Sequence, residues 1–262
     1  MHIEKKGEFP KMMILKSLIS KRDKGLKSLA VLVDPDKIES ERKLERLIGV
    51  CNNARVDYIF VGGSLLISGS LEETIKFIKS YSSIPVILFP GSNLHINKSA
   101  DAILFLSLIS GRNADLLIGQ HISAAPLIKK SNIEVLATGY MLVGSDLSTT
   151  VAHISQTSPI PSSKPEIAMC TALAGEMLGM RLIYLDAGSG AKEEVPGVMI
   201  EQVKKSIAVP LIVGGGISTI KKAKTAYHSG ADTLVVGTAV ENRLDFITEM
   251  AEIRDELNII HS

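Results

Sequence analysis

Tryptophan is absent from this chain of 262 residues, and aromatic residues make up only 4% of it. So few rings leave little on which nucleobases could stack. A surplus of one charge is lacking too. The 29 basic residues face 28 acidic ones, and a net charge of +1 gives no electrostatic footprint for nucleic acid. The only two cysteines, Cys51 and Cys170, lie far apart without metal-binding spacing. They read as small apolar residues in a reducing compartment. Long apolar runs are missing as well. The longest, such as AILFLSLI (102–109), are far too short to span a bilayer. The opening stretch MHIEKKGEFPKMMILK carries charges and no secretory apolar run, so no signal peptide is expected. A cytoplasmic protein is expected, with peripheral contact to a membrane left open. The histidines form no pattern: His2 and His261 are terminal, and His95, His121, His153 and His228 are isolated. No zinc-type or Ser–His–Asp spacing occurs.

What is present is alternation. Hydrophobic residues make up 45% of the chain, ample for a large core. Apolar runs at 29–33, 56–61, 85–89, 102–107, 133–142, 181–186, 210–214 and 232–237 read as strands. They are apolar almost throughout, as strands buried on both faces of a parallel sheet must be. Helical patterns fill 39–53, 70–80, 113–130, 166–179, 197–208, 218–229 and 241–257, with an extra helix near 11–22. Leu44, Leu47 and Ile48 share one helix face. Eight strands joined by helices predict one α/β domain over 1–262, a (β/α)8 TIM barrel, in preference to an open doubly wound sheet. One crossover is unusual: PGSNLHINKSAD (90–101) is short and rich in helix breakers. An irregular segment is therefore expected in place of the third helix. The polar connection 145–165 reads equally as a lid or as surface decoration.

Barrels place their chemistry at the C-terminal ends of the strands. GGGIS (214–218) and GTAV (237–240) follow the last two strands, where backbone amides commonly bind phosphate. Glycine lets the main chain approach the oxygens. The glycines of YLDAGSGA (184–191) complete a cradle beside Asp186. Turn geometry alone is the plainer reading of any one of these motifs. Asp34, in DPDK, reads either as a turn or as a carboxylate for Mg2+, with Ser64 adding a hydroxyl oxygen. Lys37 is placed either to reach a phosphate or to sit solvated at a helix start.

Taken together, LVDPDK (32–37), FVGGS (60–64), ILFPGS (87–92), ATGYMLVG (137–144), YLDAGSGA, IVGGGI (212–217) and VVGT (235–238) resemble the geranylgeranylglyceryl and heptaprenylglyceryl phosphate synthases. The resemblance covers most of the barrel. It implies a TIM barrel lacking its third helix. It also implies a Mg2+-dependent transfer of a polyprenyl chain, geranylgeranyl expected, from its diphosphate to the 3-hydroxyl of sn-glycerol 1-phosphate. The family's metal ligands map onto Asp34 and Ser64. Its glycerol phosphate site maps onto Tyr184, Leu185, Asp186, Ala187, Gly188, Ser189, Gly190, Gly214, Gly215, Gly237 and Thr238. Asp186 and Tyr184 are the catalytic candidates, and Tyr140 and Lys37 join the substrate-binding set. Many members carry Glu where this chain has Asp186. The family's members are usually dimers or larger, so a homo-oligomer is expected. The prenyl tail is expected in the gap left by the missing helix, near Ile103, Phe105 and the 113–125 helix. The rival readings are another phosphate-binding barrel enzyme, such as a sugar-phosphate isomerase or lyase, and a non-catalytic phosphometabolite-binding protein.

Overall fold

The computed structural model describes residues 13–63, 66–67, 69–144 and 149–259. Eight strands, β1 (Ser28–Val33), β2 (Tyr58–Gly63), β3 (Val86–Pro90), β4 (Ala102–Leu108), β5 (Glu134–Leu142), β6 (Leu182–Asp186), β7 (Leu211–Gly214) and β8 (Thr233–Val236), form a closed barrel in sequence order. All neighbours are parallel, and β1 closes on β8 from Ser28↔Thr233 to Val31↔Val236. The two-residue period of a strand divides the apolar residues between two layers. Leu182 and Tyr184 of β6 join the cluster inside the barrel, whereas Ile183 and Leu185 pack under the helices. The same parity carries Tyr140 and Leu142 of β5 inward.

The helices around the barrel are α2 (Glu41–Asn53), α3 (Leu71–Tyr81), α4 (Gln120–Ser131), α6 (Pro165–Met177), α7 (Gly197–Ser206), α8 (Ile220–His228) and α10 (Asp245–Ile259). They match the expected set within a few residues. The helix expected over 241–257 is divided into α9 (Thr238–Asn242) and α10. The one expected over 113–130 begins with a π-helical turn at Asp115–Gly119. A short helix, α5 (Thr150–Ser155), occupies part of the polar connection; residues 145–148 lie outside the described set. No helix stands between β3 and β4. Residues 91–101 run as turns, pinned by Gly91 N–H donating to His95 Nδ1 (3.1 Å) and Asn93 Nδ2 donating to Ser123 Oγ of α4 (2.7 Å). The strands flanking this segment are paired at only two positions, Ile87↔Ala102 and Leu88↔Ile103.

The N-terminal mouth of the barrel is closed by α1 (Met13–Asp23), whose Ile14, Leu15 and Leu18 enter the interior cluster. A helix start leaves amides without intrahelical partners. Here the buried Glu134 carboxylate accepts from Ile14 N–H (2.9 Å) and Leu15 N–H (2.8 Å). Three aspartates repeat one device on this rim. Asp57, Asp101 and Asp232 each precede a strand and each accept, at 2.8 Å, from an amide in the first two residues of the strand before it: Leu29, Val86 and Leu211. Each also meets a lysine: Lys21, Lys79 and Lys204 respectively. Arg254, buried, adds a second cation 3.0 Å from Asp57.

Candidate active site

At the opposite rim, parity places Asp186 on the same inward face as Tyr184. Tyr140 Oη donates to Asp186 Oδ2 at 2.5 Å, and Gly188 N–H donates to Oδ1 at 2.8 Å. Tyr140, Tyr184 and Phe89 pack against one another under the acid, Tyr140 edge-on to Tyr184 with centroids 5.5 Å apart, and Phe89 stacked on Tyr184 at 5.5 Å. Burial pushes the Asp186 carboxyl above the ordinary carboxylate range, and its two hydrogen bonds oppose that shift. Burial and the nearby carboxylate hold both tyrosine hydroxyls well above their usual range, so they remain donors.

The glycines around Asp186 have two jobs. Gly215 has φ +72°, and a Cβ there would stand 2.6 Å from Asp186 Oδ1 and 2.7 Å from Gly188 N. A Cβ on Gly214 would stand 2.5 Å from Tyr184 Oη. These two glycines therefore make room for the acid and the tyrosine. Gly190, Gly215, Gly216, Gly237, Thr238 and Ala239 line a pocket of about 260 Å3 beyond them. Ser189 Oγ and Thr238 Oγ1 stand 3.5 Å apart beside it. The predicted Gly188–Gly190, Gly214–Gly215 and Gly237–Thr238 segments thus converge. Leu185 and Ala187 are buried outside the barrel and contribute backbone. Gly216, part of the GGGIS segment though not of the residues mapped from the resemblance, lines the same pocket.

Asp34 follows β1. Its Oδ1 accepts from Asp36 N–H at 3.1 Å, capping the 3-10 turn Pro35–Lys37, and its Oδ2 lies 3.9 Å from Lys37 Nζ. Burial raises the proton affinity of this half-buried carboxyl. Asp36 accepts from Ile67 N–H (2.7 Å) and Gly69 N–H (2.5 Å), which ties the segment after β2 to the turn. A Cβ on Gly63 would lie 3.2 Å from Asp34 Oδ2, so the end of β2 passes close to the acid. Ser64 lies outside the described residues. Lys37 Nζ donates to Glu241 Oε1 of α9 at 3.1 Å. Because β1 closes on β8, Asp34 and Lys37 neighbour the glycine pocket rather than face it across the barrel.

The gap left by the missing helix opens into an apolar trough of about 130 Å3. Ile103, Phe105, Leu116, Ala124 and Ile128 line it, in agreement with the expected position, and its inner end reaches Tyr140. His121, absent from the candidates, is buried in the trough wall. Its Nε2 lies 3.4 Å from Ser107 Oγ and its ring meets Phe105 edge-on at 4.4 Å. Burial lowers its proton affinity, so the imidazole is neutral near pH 7. Phe89 was also overlooked; its place at a strand end was the available signal.

An eight-stranded parallel barrel keeps its chemistry at this rim. A glycine-lined pocket adjoining an apolar trough at this rim defines a TIM-barrel protein with two neighbouring binding spaces. More particularly, the chain belongs to the PcrB family, which it matches over residues 22–254. It is 55% identical over 234 residues to the geranylgeranylglyceryl phosphate synthase of Spirosoma linguale, covering 89% of this chain and 94% of that one. The enzyme of the same name from Chitinophaga pinensis is 50% identical over 239 residues, 91% and 94% of the two chains. Among solved structures, (S)-3-O-geranylgeranylglyceryl phosphate synthase from Thermoplasma acidophilum, in complex with its substrate sn-glycerol-1-phosphate, superposes with a TM-score of 0.86. It is 32% identical, with 94% of this chain and 99% of that chain covered.

Proposed function

We propose that this protein is a Mg2+-dependent prenyltransferase that joins a polyprenyl diphosphate, geranylgeranyl expected, to the 3-hydroxyl of sn-glycerol 1-phosphate. The observation that carries this reading is one continuous path. Tyr140 lines the trough and bonds Asp186, and Asp186 bonds Gly188 at the edge of the glycine pocket. A tail in the trough and a phosphate in the pocket therefore meet at Asp186. The relatives' shared name supports the same chemistry.

In the reaction, the bond between the prenyl carbon and its diphosphate oxygen breaks. The glycerol O3 forms a bond to that carbon, and the hydroxyl proton passes to Asp186. Backbone amides of the glycine segments, with Ser189 and Thr238, hold the glycerol phosphate, which converts the encounter into an oriented one. Asp186 is a competent acceptor because burial strengthens it as a base while Tyr140 and Gly188 fix its direction. The shorter Asp, in place of Glu, draws the hydroxyl nearer the strand end.

Asp34 suits a magnesium ion: it offers hard oxygen ligands, is half-buried, and has one oxygen beyond hydrogen-bond distance of Lys37. Asp34 and Ser64 would hold the ion, which when bound supplies charge compensation for the departing diphosphate. Among the described residues no group of three or more His, Cys, Asp or Glu is placed to hold a metal. Diphosphate oxygens and water would complete such a site. Incubation with Mg2+, glycerol 1-phosphate and prenyl diphosphates of several lengths, with glycerol 3-phosphate as stereochemical control, tests the reading by product mass. An ether product from the 1-phosphate is expected; no ether from any prenyl diphosphate overturns it.

A further inference from the structure

The outer face of α4 is not built like that of α2. On α2 the exposed positions are Glu41, Arg42, Lys43, Glu45, Arg46, Asn52 and Asn53, all charged or polar. On α4 the inner face, through Ala124 and Ile128, lines the trough, yet the outer face is apolar as well: Ile122 is 70% exposed and Leu127 51%. Ile118, in the π turn, is 60% exposed. Apolar residues all round a helix mark one that has a hydrophobic environment on both sides. The patch continues past the helix. Leu94, 83% exposed, follows Asn93, which lines the trough and bonds Ser123 of α4. Ile154 of α5 both lines the trough and is 46% exposed. The exposed apolar side chains therefore border the trough's mouth.

The charges on this edge are mostly basic. The last turn of α4 presents Lys129 and Lys130 to solvent, residues 116–133 contain no Asp or Glu, and one exposed acid, Asp115, opens the π turn. An apolar stripe flanked by two lysines fits the surface of an anionic bilayer. No described helix is long and apolar enough to cross a membrane, so contact would be at the surface.

We infer that the edge formed by Leu94, Ile118, Ile122 and Leu127 with Lys129 and Lys130 is a docking face for an anionic lipid bilayer, and that it holds the trough's mouth against the membrane. The inference rests on the proposed reaction, which requires a tail costing about 0.8 kcal/mol per CH2 to expose to water. Docked on the bilayer, the tail passes from lipid to trough without that exposure.

The test is cosedimentation of the full chain with vesicles of phosphatidylcholine, with and without phosphatidylglycerol. The wild type is expected to partition onto the anionic vesicles. I118E/I122E is expected to lose about tenfold or more in partitioning, since each change removes an inserted apolar side chain. The same variant should keep its turnover of detergent-dispersed prenyl diphosphate. K129A/K130A, which leaves the apolar stripe alone, should lose the preference for anionic vesicles. Wild-type protein that stays in the supernatant overturns the inference. So does unchanged partitioning of I118E/I122E, including the case in which its solution mass falls and the face proves to cover a second copy. Should I118E/I122E fail to fold, K129A/K130A decides: an undiminished anionic preference overturns docking. Partitioning without turnover of any prenyl diphosphate would instead defeat the proposed reaction.

Discussion

The two mouths of the barrel treat acids in opposite ways. At the N-terminal mouth, Asp57, Asp101 and Asp232 each bind an amide at a strand start and a lysine, and Glu134 takes two amides of α1. At the C-terminal mouth, Asp186 is buried with a tyrosine and one amide, and Asp34 has one amide and a lysine 3.9 Å away. Burial raises the proton affinity of both. One mouth is organised to hold strands in register. The other places left-handed glycines beside carboxylates that burial makes more basic.

The largest effects should divide by mouth. Asp186→Asn is expected to lower kcat by about 1000-fold, the scale of losing a positioned base, without unfolding the protein. Steady-state rates with both substrates measure the first part. Thermal melts measure the second, and the sign follows from the raised folded-state pKa. Such a carboxyl favours the folded state below its unfolded pKa, and the benefit is lost as pH rises through the folded pKa. Asn removes that dependence, so the melting temperature of the variant should gain on the wild type as pH rises above the ordinary carboxylate range. At the other mouth, Asp57→Asn takes from the buried Arg254 one of its two carboxylate partners, Asp255 remaining, and should cost about 3 kcal/mol in urea unfolding, with the folded enzyme's kcat unchanged. A loss of both properties in either variant would dissolve the distinction.

Gly215→Ala comes next. Its Cβ would displace Asp186 Oδ1 and the Gly188 amide, and a misplacement of this kind is expected to lower kcat/KM about 100-fold. Tyr140→Phe should have a smaller effect on rate, about tenfold, with a diagnostic pH profile. Its hydroxyl stabilises the carboxylate, so removing it raises the Asp186 pKa further and moves the acid limb of kcat/KM to higher pH. A limb that stays put would remove Asp186 from the proton's path. Smallest is Glu134→Gln, which retains one acceptor of two and should cost about 1 kcal/mol of stability with no change in rate.

How much of this was legible beforehand also divides by mouth. The eight strands, the missing third helix and the convergence of the glycine segments beside Asp186 at one rim were readable because strand-end motifs are local and the barrel rule assigns them one rim. The N-terminal mouth went unread. The pairing of Asp57 with Leu29, or of Glu134 with α1, joins residues distant in sequence, and aspartate before a strand resembles any turn. Gly214 and Gly215 were read only as an approach for phosphate. That they vacate space for Tyr184 and Asp186 depends on a register between strands that one sequence does not display. The split of the last helix into α9 and α10 and the π turn before α4 were missed because the apolar pattern continues through both. The Ser64 assignment falls outside the described residues.

The two-position seam between β3 and β4 has one further consequence. The trough runs out sideways beside the strand pair with the fewest paired positions, whereas the glycine pocket lies past the ends of β6, β7 and β8. In the proposed reaction the tail would leave through one part of the wall and the phosphate be held at another. Substitutions at the outlet should then change the tolerated chain length more than glycerol phosphate binding.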